Sequence, residues 1–156
     1  MASPFSWSFL ELTFSKSDRA LFIYLSTMTA LFRRIQPARF TITAKQIARF
    51  LGIRQSAVVR VERWAYVLFV HRQDRGGQFI SYRKLADWVA AIAQLIQGCA
   101  TSSQLDDMGV WLYQELKKFK YDEWSRQYLR DVWAQQRDAL LSQMPASRQS
   151  LALVSV

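Results

Sequence analysis

The sequence predicts a mainly α-helical fold carrying one small β-hairpin. Three helices and the hairpin occupy the first half, and a helical region makes up the second. Three observations predict this. Apolar residues recur at helical spacing through most of the chain. The stretch AKQIARFLGIRQSAVVRV (44–61) sets small and aliphatic residues at intervals suited to two crossing helices. Finally, LFVHRQ and QFISYR, joined by DRGG, read as two strands about a tight turn. With 156 residues, 51% hydrophobic and 21% charged, the chain is long enough to bury a core without a metal or disulfide to staple it.

The elements follow in order. In residues 1–14, Phe5, Trp7 and Phe9 alternate weakly, as a short strand or an aromatic lead-in would. A first helix, SDRALFIYLSTMTALFRRI, is expected to start at a Ser15 or Ser17 cap with Asp18 in its first turn. It should close before Pro37, with Arg33 and Arg34 near the negative end of its dipole. RFTIT (39–43) reads as a short strand. Thr43 caps a second helix over 44–51, ended by Gly52, which can take a positive φ. A third helix is expected over 55–67, then the hairpin. Helices over about 83–99, 103–120 and 122–143 follow, the middle one capped by Ser102 or Ser103 with Asp106 and Asp107 in its opening turns. The division expected is a lead-in (1–14), a first domain (15–82), a helical region (83–144) and a tail (145–156) without strong period.

Charge is distributed unevenly. The chain carries a net +9. Between Arg33 and Lys84 there are 12 Arg/Lys against Glu62 and Asp74, a surplus of +10, while the remainder has 9 basic and 10 acidic residues, a balance of −1. A charge serving solubility alone would be spread out. One so concentrated points to an anionic partner for that third of the chain.

That third also holds the spaced stretch. Counting from Ala44, apolar residues fall at the fourth, eighth, tenth, fifteenth and eighteenth places (Ile47, Leu51, Ile53, Val58, Val61), with Ala48 at the fifth and Gly52 at the ninth. Two helices crossing through a three-residue turn need a small residue at the approach, a glycine at the turn and an aliphatic seal. The stretch resembles the helix-turn-helix of bacterial DNA-binding regulators. With an upstream helix, a short strand and a basic hairpin in order, residues 15–82 resemble a winged helix-turn-helix domain; the resemblance stops at the wing. It implies binding of double-stranded DNA, with the second helix of the pair in the major groove. Gln55, Ser56, Val59 and Arg60 would then lie near base edges, where arginine suits guanine, glutamine suits adenine and a valine methyl suits that of thymine. Lys45, Arg49, Arg54 and Arg63 would take phosphates. In the wing, Arg72, Arg75 and Gln78 would touch the backbone or an adjacent minor groove, and Arg33, Arg34 and Arg39 would extend the basic face.

Other chemistry finds little support. His71 is the only histidine and Cys99 the only cysteine, so no zinc cluster, internal disulfide or Cys-His site is expected; no cofactor or catalytic constellation is visible, and an enzyme is not expected. Asp106 and Asp107 read as favourable helix-start charges rather than as a metal pair. The start lacks the pattern of a secretory leader and no uncharged run approaches a membrane span, so a cytoplasmic, nucleoid-associated protein is expected. Seven aromatics (Trp111, Tyr113, Phe119, Tyr121, Trp124, Tyr128, Trp133) exceed what one helical seam needs and suggest a homodimer or a protein partner through residues 103–140. Three functions remain open. They are a transcriptional regulator, a replication or mobile-element accessory protein that marks a DNA site, and a protein-binding module.

Overall fold

The computed structural model describes residues 28–144. The predicted lead-in, most of the first helix with its serine cap, and the tail lie outside the described residues.

The chain enters through Thr29, whose extended backbone and side-chain hydroxyl, accepting from Phe32 N–H, start helix α1 (Ala30–Ile35). Met28 and Thr29, both expected inside the long first helix, are not helical. The threonine side chain serves two elements, capping α1 and donating from the same hydroxyl to Glu115. At the other end Gln36 takes a left-handed conformation (φ 51°), and Pro37, which has no N–H to continue the helix, opens a short 3-10 turn (Pro37–Arg39). No strand forms over 39–43, a second correction: all three described strands pair among themselves. Instead Phe40 and Ile42 pack partly buried against the core. Helix α2 (Ala44–Leu51) forms as expected, with Thr43 and Gln46 closing a reciprocal capping box and Gly52 ending it at φ 65°.

The largest departure follows. The sequence predicts a helix over 55–67. The structure has a 3-10 turn (Gln55–Ala57) and then strand β1 (Val58–Arg63). β2 (Leu68–Arg72) and β3 (Gly76–Ile80) complete an antiparallel sheet in the order β1-β2-β3. The physical reason lies in VVRVER. Val58 and Val61 are three apart, a spacing that suits a helix and that an unbroken strand would split between two faces. A bulge between Val58 and Arg60 resets the register, so that Val58 pairs with Arg72 and Val61 with Val70, and both valines reach the core. Three β-branched valines beside a ready partner strand then favour the sheet. The helix-turn-helix pair implied by the resemblance is thus absent: one helix, α2, is followed by a strand.

The hairpin matches expectation in kind. Gly76 takes φ 74° where the turn meets β3, and β2 pairs with β3 from Leu68↔Ile80 to Arg72↔Gly76. The predicted second strand begins earlier than expected, at Gly76, and a 3-10 turn (Tyr82–Lys84) follows it.

Three helices complete the described residues: α3 (Ala86–Gln97), α4 (Ser102–Lys118) and α5 (Glu123–Ser142). Their spans agree with the helical periodicity. The cap of α4 is Thr101 rather than a serine, accepting from Gln104 N–H, so Asp106 and Asp107 lie beyond its first turn. Trp133 Nε1 donates to Leu105 O and Gln136 to Cys99 O, fastening α5 to the start of α4.

One hydrophobic cluster runs through both halves. Leu31, Phe32, Ile47, Leu68, Val70, Tyr82, Trp88, Ile92, Leu105 and Leu129 all belong to it. At its centre lies a buried polar knot. Arg83 Nε donates to Glu115 Oε1 at 2.5 Å, Tyr121 OH to the same oxygen at 2.9 Å, and Thr29 to Oε2 at 2.6 Å, while Trp88 Nε1 donates to Tyr121 at 2.6 Å. The Arg83 guanidinium also lies 3.6 Å from the centroid of the Phe119 ring. Burial, reinforced by the Glu115 charge, pushes the Tyr121 phenol well up. Among the described residues no buried side-chain nitrogen or oxygen lacks a partner, as a charge held inside a core requires. Among them, too, no helix is long and apolar enough to cross a membrane.

Candidate nucleic-acid interface

The sheet has two unlike faces. Leu68, Val70 and Ile80 point into the core. The cross-strand pairs Arg60↔His71↔Gly77 and Glu62↔Phe69↔Phe79 share the opposite, outer face. There Phe69 packs against Phe79 at 5.0 Å and against His71 at 4.8 Å between ring centroids. Trp64, just beyond β1, lies over both phenylalanines, 5.2 Å from Phe69 and 5.4 Å from Phe79. The result is an aromatic platform that stays open: Trp64 is 45% exposed and Phe79 51%.

Two features fix the platform. The Trp64 indole N–H donates to Glu62 Oε2 at 2.9 Å, and Arg60 forms an ion pair with Oε1. The Trp64 hydrogen bond, more than the Arg60 charge, holds the Glu62 carboxyl below its ordinary range. Beneath the ring, Gly77 leaves the space that Phe69 occupies; a Cβ there would stand 2.6 Å from Phe69 Cζ. On the other side of the same segment, Tyr82 OH donates to Trp64 O, and burial pushes that phenol up to about 12.

The residues expected to touch DNA divide into three groups. Arg54, Gln55 and Ser56 are exposed on the 3-10 turn, which is tied to the hairpin tip by a hydrogen bond from Gln73 N to Ala57 O (2.9 Å). Exposed Arg75 sits at that tip, so the structure brings this group together, with Val59 (67% exposed) and Arg60 adjoining on β1. Lys45 and Arg49 form a second group, exposed four residues apart on one face of α2. The third group is turned inward or engaged. Arg72 is buried, bridges both carboxylate oxygens of Asp74 and donates to Gln78 Oε1 at 2.8 Å. Its hydrogen bond is the main reason the Asp74 carboxyl lies below its ordinary range. Arg72, Asp74 and Gln78 therefore tie the hairpin together. Arg63 remains exposed but donates to Phe40 O at 2.7 Å, pinning the loop before α2.

The aromatic platform is what the sequence reading missed. Its signal is a hairpin apolar on both faces: Leu68 and Val70 alternate with Phe69, and Phe79 precedes Ile80, where a solvated wing would alternate apolar with polar. Cys99, by contrast, is buried, donates weakly to Leu95 O, and has its thiol pushed up by burial, the condition of an inert thiol.

In comparisons with known proteins, no family model, no curated protein and no solved structure matched the chain.

Proposed function

We propose that this chain binds nucleic acid through its basic first part. The observation that carries the reading is the fate of the twelve cations between Arg33 and Lys84. Arg60, Arg72 and Arg83 have carboxylate partners. The other nine (Arg33, Arg34, Arg39, Lys45, Arg49, Arg54, Arg63, Arg75 and Lys84) are all exposed, and none has a carboxylate within ion-pair distance among the described residues. The two acidic residues of the same stretch, Glu62 and Asp74, are already taken. A surface so short of counter-charge suits a polyanion, whose condensed counterions are released on binding.

A duplex-DNA regulator of the expected kind needs a helix over 55–67 lying in the major groove. With β1 in that place, groove reading by that helix drops out, and phosphate neutralisation by Lys45, Arg49, Arg54 and Arg75 stays. The test is retention of the purified protein on a labelled oligonucleotide, single-stranded or duplex, compared with the charge-reversed variant Lys45→Glu/Arg49→Glu. Binding that falls at least tenfold in the variant supports the reading, and equal binding by both proteins sinks it. Selection of bound genomic fragments then separates a regulator, with a site near a promoter, from an origin-marking protein with repeated sites.

A second contact surface is favoured by one observation. Val110 and Tyr113 on α4 are largely exposed, three residues apart on one helix face. They support self-association or a protein partner through the helical region. Sedimentation of wild type and Tyr113→Glu at matched concentrations tests this, with loss of the larger species expected in the variant.

A further inference from the structure

We infer that the outer face of the sheet is a stacking site for unpaired nucleobases, so that the nucleic acid this chain takes is single-stranded where it meets Trp64 and Phe79. The inference rests on the nucleic-acid reading above and specifies the form of the ligand.

Trp64 and Phe79 stand among the large hydrophobic side chains left exposed, and large exposed apolar groups commonly mark a binding surface. Here about half of Trp64 and of Phe79 is open to solvent, and Phe69 packs against both. The rings are held in place. Trp64 is tethered through its N–H to Glu62, and Phe69 rests in the space over Gly77. A fixed, open ring offers its π-face to any partner with a flat face of its own, and every nucleobase has one.

The charges around the platform select that partner over an apolar peptide. Arg54 and Arg75, neither with a carboxylate partner among the described residues, stand at its tip end. Glu62, the one carboxylate on the face among the described residues, is taken by Arg60 and Trp64. A backbone of phosphates running past the tip would meet cations while a base lies on the rings. Duplex DNA cannot use this face in the same way, because its base faces are already covered by their neighbours in the stack. Only an unpaired base can be laid on Phe79 or Trp64.

The test separates bases from phosphates. A fluorescently labelled thymidine oligonucleotide is titrated with the full chain, beside an abasic oligonucleotide of the same length and charge and a duplex of the same length. The thymidine strand is expected to bind at least tenfold more tightly than either, with nearly the same salt dependence as the abasic strand. Phe79→Ala is expected to weaken binding to the thymidine strand about 5- to 100-fold and to leave the abasic strand unchanged, whereas Phe79→Tyr keeps the wild-type affinity. Circular dichroism confirms that each variant folds; should Phe79→Ala fail to, Trp64→Phe and Trp64→Gln carry the same comparison. Equal affinity for thymidine, abasic and duplex ligands, still salt-dependent, would overturn the stacking site and leave the nucleic-acid reading standing. No salt-dependent binding to any of the three would overturn both.

Discussion

Phe69 lies across Gly77 so closely that a Cβ on the glycine would stand 2.6 Å from Phe69 Cζ. The two residues are near neighbours on adjacent strands, with His71 the direct partner of Gly77. The glycine here answers a demand of packing, whereas Gly76 beside it answers the φ of 74° at the turn. Gly77→Ala is therefore expected to displace Phe69 and to destabilise the fold by about 1–3 kcal/mol, as overpacking does. Denaturant unfolding measures the loss, and weakened near-ultraviolet circular dichroism should report the disordered Trp64–Phe69–Phe79 cluster.

The Arg83–Glu115 pair makes a second prediction. It joins the segment after the sheet to α4 inside the core, and Thr29 and Tyr121 complete the shell of Glu115. Removing one partner strands the other charge in a low-dielectric interior. Glu115→Leu should cost about 3–5 kcal/mol, and Arg83→Met/Glu115→Leu should recover part of it. A double-mutant cycle by denaturant unfolding checks this; strictly additive losses would show that the two charges do not depend on each other.

The α2 cap is a local and separable test. Thr43 accepts from Gln46 N–H, and Gln46 Oε1 accepts in turn from Thr43 N–H at 2.8 Å. Thr43→Ala should lower stability by about 1 kcal/mol while leaving the sheet intact. Since α2 carries Lys45 and Arg49, the same variant should weaken nucleic-acid binding only near its melting temperature.

At the start of α5, Asp122 accepts from Ser125 N at 2.8 Å and from its hydroxyl at 2.7 Å, and these bonds hold the carboxyl below its ordinary range. A depressed folded-state value contributes stability above about pH 4, the unfolded range, and that contribution is lost as pH falls through the folded value. The melting temperature should therefore fall on acidification. Asp122→Asn, which keeps a cap acceptor without titrating, should show a smaller fall between pH 5 and 3.

Where sequence and structure agree, the signal was local. The capping box, Gly52, the hairpin turn and the helical periodicities of the second half each rest on residues close in the chain. The helix expected over 55–67 failed because the spacing of Val58 and Val61 is satisfied equally by a helix face and by a bulged strand, and only the neighbouring β2 decides between them. Backbone contacts by nuclear magnetic resonance should accordingly link Val61 with Val70 and Glu62 with Phe69; successive helical contacts along 55–67 would contradict β1. The basic character of the site was legible from charge counting, and so were the exposed residues of its tip. The inward turn of Arg72 and Gln78 was not, because it depends on Asp74 completing a bridge across the hairpin. The platform went unread since its rings come from three separate segments that meet only through the register of the sheet.

The cations of this surface that meet no carboxylate among the described residues are expected to bind a nucleic-acid backbone, and a salt titration measures this. The affinity of the full chain for a labelled single-stranded oligonucleotide is measured from low to near-physiological salt. A linear fall of log K with log salt is expected, with a slope of about −0.7 for each phosphate neutralised, and a shallower slope for Arg49→Ala. Absence of binding, or affinity indifferent to salt and to Arg49→Ala, would contradict it.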